Sequence, residues 1–319
     1  GELMRTSPEG RATGLPLSPS SKGNRGRRLR RLLHPDSSPF LYLLPTVLFI
    51  AVFLAYPVFE VIRGAFIHNV PIRPWEEQGF VGVANFWALF RSESFHRALR
   101  VTLLWTLLAV AGKMLVGLVA ALLLQREFPG RRVYLTLMMI PWVTPIVVAA
   151  VVWRWVLNSQ YGQLNGLLDL LGLPVVPWLG QSGTAFVATA VVDMWVGIPL
   201  VAMVLMAGLQ SIPDELYEAA VVDGAGAWQI FRQVTIPLLR PVLLVVLLLT
   251  SVWTFNSFEV IYPLTRGGPA GATTTLVIEA YRTAFGSFDF GMASALATVI
   301  FLILLVVSIF YWFQLSRRS

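Results

Sequence analysis

Three ionisable residues, Lys113, Asp193 and Glu259, lie in segments of the chain that are otherwise apolar. Charged side chains are costly in apolar surroundings unless they are paired or hydrated. Such residues can relay protons or ions, pair with one another between neighbouring helices, or face an aqueous cavity. Their scattered placement follows no regular spacing, so the sequence leaves these alternatives open.

The residue types that carry out covalent or metal chemistry are sparse. The chain has no cysteine, and its three histidines, His34, His68 and His96, are too few and too scattered for a metal site. It contains neither a Gly-x-x-x-x-Gly-Lys-Ser/Thr run for nucleotide phosphates nor a Gly-x-Ser-x-Gly nucleophile turn. The sequence therefore predicts no catalytic residue, no metal and no cofactor in this chain, and a membrane enzyme is the weakest alternative.

A set of hydroxyls and one indole follows a helical spacing near the C-terminal third of the chain. Thr250, Trp253, Thr254 and Ser257 stand at positions i, i+3, i+4 and i+7, which predicts one polar face on an otherwise aliphatic helix. Hydroxyls bind sugar hydroxyls, and an aromatic ring covers the apolar face of a pyranose. The same residues also serve ordinary helix packing in membranes, which is the competing interpretation.

The elements that position these residues are membrane helices. The chain has 56% hydrophobic and 13% charged residues over 319 residues, and its mean hydropathy is +0.70. A membrane helix needs roughly 20 mainly apolar residues. We predict an all-α integral membrane protein with six spans, at 40–66, 98–124, 133–157, 184–208, 237–262 and 290–313.

The distribution of positive charge predicts how the chain is oriented. The net charge is +7, but 15 of the 24 Lys and Arg residues fall in the two termini and the loops on the same side, against six on the other side. This bias predicts that both termini are cytoplasmic. The basic composition is thus a sign of topology, and a partner made of nucleic acid is not expected, since the basic tail has no interleaved aromatic residues.

The first 39 residues are rich in Ser, Pro, Gly and Arg and have no apolar period. Such a segment cannot bury enough surface to offset its ordering entropy, so we predict a disordered basic cytoplasmic tail over 1–39, followed by a six-helix transmembrane domain over 40–319. The arginine cluster at 25–31 is expected to contact anionic lipid headgroups beside the first span.

The polar loop 209–236, between the fourth and fifth spans, contains signals for two short helices. Ser211 is a candidate N-cap and Pro213 suits a first helical turn, while Gly224 is a typical helix stop. A second helix is predicted to pass Trp228 before Pro237 opens the fifth span. From periodicity alone, this loop could also be an amphipathic connector that rests on the membrane.

The spaced pattern of this loop resembles that of the permease subunits of binding-protein-dependent ABC importers, in the carbohydrate-uptake branch that includes the maltose and glycerol-phosphate systems. The pattern is Glu-Ala-Ala, three residues, Gly, nine residues, Val or Ile, two residues, Pro. Further stretches resemble the same branch, at 140–142, 153–155, 161–162, 265–269 and 288–291. The positions that carry the loop pattern, with the acid inside it, are Glu218, Ala219, Ala220, Asp223, Gly224, Val234 and Pro237.

The resemblance implies a type I ABC importer permease whose loop 209–236, called the coupling segment below, places a short helix in a cleft of an ATPase subunit. It implies a second, similar permease as a heterodimer partner, two ATP-binding subunits that hold ATP and magnesium, and an extracytoplasmic solute-binding protein. Closure of the ATPases would move the membrane helices as rigid bodies. The expected location is the cytoplasmic membrane of a bacterium or archaeon.

The resemblance also implies where solute would bind, which is the fifth span together with a Gly-x-Pro in the fourth span. An aromatic residue expected near Leu200 is missing from this chain. The rival prediction is an ion-coupled secondary transporter that works through the three intramembrane charges without an ATPase. The residues that the resemblance implies as solute contacts are Gly197, Leu200, Trp253, Thr254 and Ser257.

Overall fold

The computed structural model describes residues 39–316, so the predicted tail lies outside the described residues except for its last position. The described chain is mostly helical, which confirms the predicted all-α membrane fold. Five helices are long and apolar enough to cross a membrane, and a bent helix pair at the position of the predicted third span brings the number to six.

The first of two compact units ends at Val58. Helix α1 spans Pro39–Ile50, and a five-residue π-helical turn, Ala51–Ala55, leads into α2, Tyr56–Gly64. The turn comes directly before Pro57, which has no N–H and whose ring would clash with the carbonyl four residues earlier in a regular helix. A wider turn relieves that clash, so the sequence explains the irregularity.

The second unit contains a two-stranded antiparallel sheet, β1 (Ile67–His68) and β2 (Gly79–Phe80), and the remaining helices. Helix α4 (Glu93–Leu124) packs most extensively against α8 (Ser182–Gln210), where Gly117 lies against Val201. A Cβ at Gly117 would stand 2.6 Å from Val201 Cγ1, so the small residue permits close approach of the two helices. The helices are α3 (Ala84–Arg91), α4 (Glu93–Leu124), α5 (Arg131–Val143), α6 (Ile146–Val156), α7 (Gln163–Leu170), α8 (Ser182–Gln210), α9 (Asp214–Val222), α10 (Ala227–Ile230), α11 (Ile236–Phe255), α12 (Phe258–Thr265), α13 (Leu276–Phe285) and α14 (Phe290–Ser316).

The predicted second, fourth and sixth spans correspond to α4, α8 and α14, with ends that differ by a few residues. The largest difference is at the start of α4, which begins at Glu93 rather than at residue 98. Ser92 caps this helix, because its Oγ accepts a hydrogen bond from the Phe95 N–H at 3.2 Å. Arginines in the first turns made this end look like a loop in the sequence.

The prediction of one continuous helix over 133–157 is wrong, since α5 and α6 meet at an angle of 97°. Thr144 between them is extended, at φ −70° and ψ 129°, and it precedes Pro145. A residue before proline is disfavoured in the α-helical region, and proline offers no N–H for the helical ladder. The two features together bend the chain at this point.

The predicted fifth span, 237–262, lies within one candidate membrane span, Ala227–Thr265, but the helix there is interrupted. A π-helical turn, Phe231–Thr235, joins α10 to α11, and α11 ends at Phe255. Asn256 and Ser257 separate it from α12. The side chains of both residues make hydrogen bonds that do not belong to the backbone pattern of a regular helix. Asn256 Nδ2 donates to the Val252 carbonyl at 3.0 Å, and Ser257 Oγ donates to Asp193 at 3.0 Å. Short polar side chains that bind in this way compete with the helix.

Candidate functional site

A cavity of about 480 Å³ lies beside the break between α11 and α12, and it is called the central cavity below. Four parts of the second unit supply its wall: α4, the α5–α6 bend, α8 and the α11–α12 break. The wall combines aromatic, amide, hydroxyl and charged side chains. The lining residues are Lys113, Trp142, Ile146, Asp193, Val196, Gly197, Val252, Trp253, Asn256, Ser257, Phe258, Glu259 and Val260.

An ion pair between α4 and α8 forms one side of the central cavity. Lys113 Nζ lies 2.6 Å from Asp193 Oδ2, and each residue is only 5% exposed. Of the alternatives that the sequence left open for these charges, pairing between helices is thus confirmed. Breaking a buried pair leaves an uncompensated charge, so we expect each partner to depend on the other.

Hydrogen bonds extend this pair to the C-terminal end of α11. Lys113 Nζ donates to Thr254 Oγ1 at 2.9 Å, and Trp105 Nε1 donates to the Thr254 carbonyl at 3.1 Å. Thr254 is buried and is not among the residues that line the central cavity. Its hydroxyl therefore positions the Lys113 ammonium rather than presenting itself at the wall.

Two further contacts hold the ion pair of Lys113 and Asp193 in place. Ser257 Oγ donates to Asp193 Oδ1 at 3.0 Å, which joins the start of α12 to α8. Gly197 lies under the Lys113 side chain, and a Cβ at Gly197 would stand 2.7 Å from Lys113 Cε. Four segments of the chain are thus held together by one polar cluster.

The predicted polar face of the fifth span is only partly present. Thr250 and Thr254 are buried, while Trp253 is 52% exposed and lines the central cavity. Ser257 follows the end of α11, so the helical spacing no longer applies to it. The prediction that all four residues lie on one helical face is wrong, because α11 ends before Asn256 and therefore does not include Ser257, the last of the four.

The residues that the resemblance implies as solute contacts do not all lie at the wall of the central cavity. Gly197, Trp253 and Ser257 line the central cavity, whereas Leu200 is half-buried and lies outside its wall. The motif in the fourth span thus brings one of its two predicted residues to the wall. The binding roles of these residues stay predictions.

Several wall residues were not identified as solute contacts from the sequence. Trp142 faces Trp253 with ring centroids 6.1 Å apart and an angle of 33° between the rings. Asn256 belongs to the break in the fifth span, which the apolar pattern did not reveal. The sequence signal for the position of Trp142 was Pro145, which follows it closely in the chain. A bend at this proline turns the end of α5 toward the wall of the central cavity.

Glu259 lies in the first turn of α12 and lines the central cavity. It is exposed, and within residues 39–316 its carboxylate has no side-chain partner at hydrogen-bond or ion-pair distance. No group of three or more His, Cys, Asp or Glu side chains in the described chain could hold a metal ion.

The coupling segment forms the two helices that the sequence predicted, α9 and α10. At the end of α9 the Ala225 N–H donates to the Ala220 carbonyl at 2.9 Å, and the Gly224 N–H donates to the Val221 carbonyl at 3.0 Å. Gly224 has φ +78°. This is a Schellman turn, which requires a left-handed residue at the position of Gly224.

The predicted N-cap role of Ser211 is wrong. Ser211 Oγ donates to the Gly208 carbonyl at 2.7 Å and thereby closes the end of α8. Pro213 occupies the N-cap position of α9, and no side chain caps that helix. The chain is too short between α8 and α9 for Ser211 to reach the first turn of the second helix while it serves the first.

The coupling segment exposes both apolar and acidic side chains. Val222 is 86% exposed and Trp228 is 70% exposed, and Val221 and Leu216 are exposed as well. Glu218 and Ala219 are also exposed beside them. Large exposed apolar groups clustered in one place are typical of an interaction surface.

The inner side of the coupling segment is fastened to the membrane helices. Ile212 is buried in a cluster with Leu209 of α8 and Leu239 of α11. Thr235 Oγ1 donates to Tyr217 Oη at 3.4 Å, close to Pro237 at the start of α11. These contacts fasten α9 to the ends of α8 and α11.

The sequence of this chain is similar to those of known proteins. The family described as "Binding-protein-dependent transport system inner membrane component" matches residues 113–319. The trehalose/maltose transport system permease protein MalF of Thermococcus litoralis is 35% identical over 272 residues, which cover 85% of this chain and 91% of that protein.

Solved structures of alginate importers are similar over nearly the whole chain. A bacterial ABC transporter involved in import of the acidic polysaccharide alginate matches with a TM-score of 0.78 and 26% identity, covering 92% of this chain and 99% of that chain. A bacterial alginate ABC transporter in complex with an alginate-pentasaccharide-bound periplasmic protein matches with a TM-score of 0.75 and 25% identity, covering 90% and 94%. The chain therefore belongs to the family of inner membrane components of binding-protein-dependent ABC transport systems.

Proposed function

We propose that this chain is one of two permease subunits of an ATP-driven importer that moves a sugar or related polyol inward by alternating access. The observation that carries the proposal is the exposed helix α9 with its Schellman turn, fastened on its inner side to α8 and α11. The names of the relatives, for trehalose and maltose and for alginate, support a saccharide as the solute.

Coupling to ATP is assigned to the coupling segment. Glu218, Ala219 and Ala220 form the middle of α9, and Asp223 and Gly224 end it. A small helix with short side chains can enter a cleft of an ATPase subunit, and its closure would then pull α8 and α11 as units. Pro237 marks where that pull reaches the fifth span.

Three kinds of partner complete the proposed assembly. A second permease closes the pathway, two ATPase subunits bind ATP and magnesium, and a soluble or anchored binding protein delivers solute on the outer face. The periplasmic protein in one alginate transporter structure supports the last of these. Both termini would lie in the cytoplasm, and anionic lipid would contact the basic tail.

Solute binding is proposed for the central cavity, through Gly197, Trp253 and Ser257 at the wall, with Thr254 acting through Lys113. The two tryptophans offer faces for a pyranose, and the hydroxyl and amide groups at the α11–α12 break offer hydrogen bonds. Leu200 would affect solute binding indirectly, through its packing in α8.

The ion-coupled alternative is less well supported. Two of the three charges that it would use, Lys113 and Asp193, neutralise each other at 2.6 Å and are held by Thr254 and Ser257. A relay needs groups that exchange protons or ions, whereas this pair is satisfied by fixed partners. Family membership also argues for an ATP-driven system.

The test is to reconstitute the complete complex in liposomes and measure ATP hydrolysis with and without binding protein and maltose or trehalose. Gly224→Asp should abolish the stimulation, because a side chain at φ +78° strains the turn that ends α9. Gly172→Asp is the matched control, since Gly172 also follows a helix at φ +70° with open space around it, but in another loop. Stimulation that survives in Gly224→Asp would contradict coupling through this segment.

A further inference from the structure

The charges on the wall of the central cavity do not balance. Lys113 and Asp193 are within 2.6 Å of each other, so they present almost no net charge to a solute. Glu259 has no such partner in the part of the chain that the structure describes, and it is exposed at the wall. The described half of the pathway thus carries one uncompensated negative charge.

The Lys113 ammonium cannot serve as a receptor for an anion in this arrangement. It donates to Thr254 Oγ1 at 2.9 Å and contacts Asp193, while Gly197 packs against its stem. A carboxylate or sulfonate that approached it would have to compete with Asp193 at short range. The Glu259 carboxylate, which has no such counter-charge among the described residues, would repel such a group.

We infer that the solute passing this wall is an uncharged glycoside, and that Glu259 excludes its acidic counterparts. The inference rests on the proposed import function and adds the charge class of the solute. Two charges about 5 Å apart at the boundary between protein and water interact by an amount that corresponds to roughly a tenfold change in affinity.

The rest of the wall suits an uncharged sugar. Trp142 and Trp253 provide two aromatic surfaces with centroids 6.1 Å apart, which bind the C–H face of a ring without requiring charge. Ser257 and Asn256 provide short polar groups at the break, and Glu259 itself accepts hydrogen bonds from sugar hydroxyls.

The test compares two sugars of equal size in the assembled transporter without binding protein. The probes are maltose and the disaccharide in which glucuronic acid replaces its non-reducing glucose, and binding is measured by equilibrium dialysis with radiolabelled sugar. Wild type should bind maltose about tenfold more tightly than the acid. In Glu259→Gln the preference should fall close to unity, mainly through tighter binding of the acid.

Glu279→Gln is the matched control, because Glu279 also lies in the first turn of a short helix but away from the central cavity. This control should keep the tenfold preference. Equal affinity of wild type for the two sugars, an unchanged preference in Glu259→Gln, or no binding of either sugar would overturn the inference. The proposed import function fails separately, if maltose and trehalose with binding protein do not stimulate ATP hydrolysis in the wild-type complex.

Discussion

The buried charges beside the central cavity are held by neighbouring side chains, whereas the apolar side chains of the coupling segment are exposed. Lys113 and Asp193 are each 5% exposed and have partners on α8, α11 and α12, while Val222 on α9 is 86% exposed. The first region is specified by contacts within the chain. The second has a defined backbone and, under the proposed function, a surface that an ATPase subunit would cover.

This difference predicts opposite responses to mutation. Substitutions at the central cavity should change the stability of the permease itself. Substitutions on the outer surface of α9 and α10 should leave stability unchanged and remove coupling. The predictions below test this contrast in order of decreasing effect.

The largest effect is expected from breaking the buried ion pair. Asp193→Ala should lower the free energy of unfolding by about 3–5 kcal/mol, because the Lys113 ammonium is left buried without its counter-charge. The measurement is thermal unfolding of the purified complex. The double variant Lys113→Met/Asp193→Leu should recover most of the loss, and a double variant as unstable as the single one would contradict this account.

A smaller loss is expected from Gly197→Ala. The added methyl group would meet Lys113 Cε at 2.7 Å, and overpacking of this kind costs about 1–3 kcal/mol. Gly183→Ala in the same helix is the control, since a Cβ there meets no atom within 4 Å. Equal unfolding temperatures of the two variants would show that Lys113 moves aside without cost.

Substitutions on the coupling segment should leave stability nearly unchanged. Val222→Ser and Trp228→Ala remove exposed apolar groups with little loss of internal packing, so unfolding should shift by no more than about 0.5 kcal/mol. Solute-stimulated ATP hydrolysis should nevertheless fall in reconstituted complexes. A large loss of stability with normal stimulation would reverse the contrast between the regions.

The smallest effect concerns the loop between β1 and β2. A hydrogen bond from His68 lowers the pKa of Glu76 below its ordinary value, with Arg73 adding to the shift and partial desolvation opposing it. A carboxyl with a lowered pKa contributes stability above its ordinary value of 4.5, and this contribution is lost as the pH falls through the lowered pKa. The hydrogen-exchange protection factors of residues 67–80, which correct for the intrinsic pH dependence of exchange, should therefore fall below about pH 4.5 in wild type, and less so in Glu76→Gln.

The sequence predicted the regular parts of this fold because apolar length and helix-end residues act locally. The ends of α8 and α14 and the stop at Gly224 follow from such signals. The breaks at Thr144 and Asn256 were missed, since an apolar pattern continues across both of them. The proline at 145 was a usable signal, but the hydrogen bond from Ser257 to Asp193 spans 64 positions and no local pattern contains it.

The candidate site was predictable in its residue types but not in its arrangement. Lys113 and Asp193 stood out as charges in apolar segments, yet their pairing depends on how α4 packs on α8. Thr254 and Trp253 are adjacent in sequence and have different surroundings, one buried beside Lys113 and the other at the wall. Helical spacing alone cannot distinguish a hydroxyl that positions a charge from one that meets solute.

The central claim, that a partner covers the coupling segment, can be tested directly because the chain has no cysteine. A single cysteine would replace Val222, and its rate of reaction with a maleimide would be compared between the permease pair alone and the complex with ATPase subunits. Val175→Cys, in the exposed loop after α7, is the control and should react equally in both. We predict strong protection of Cys at position 222 in the full complex, and equal labelling in both states would contradict the account.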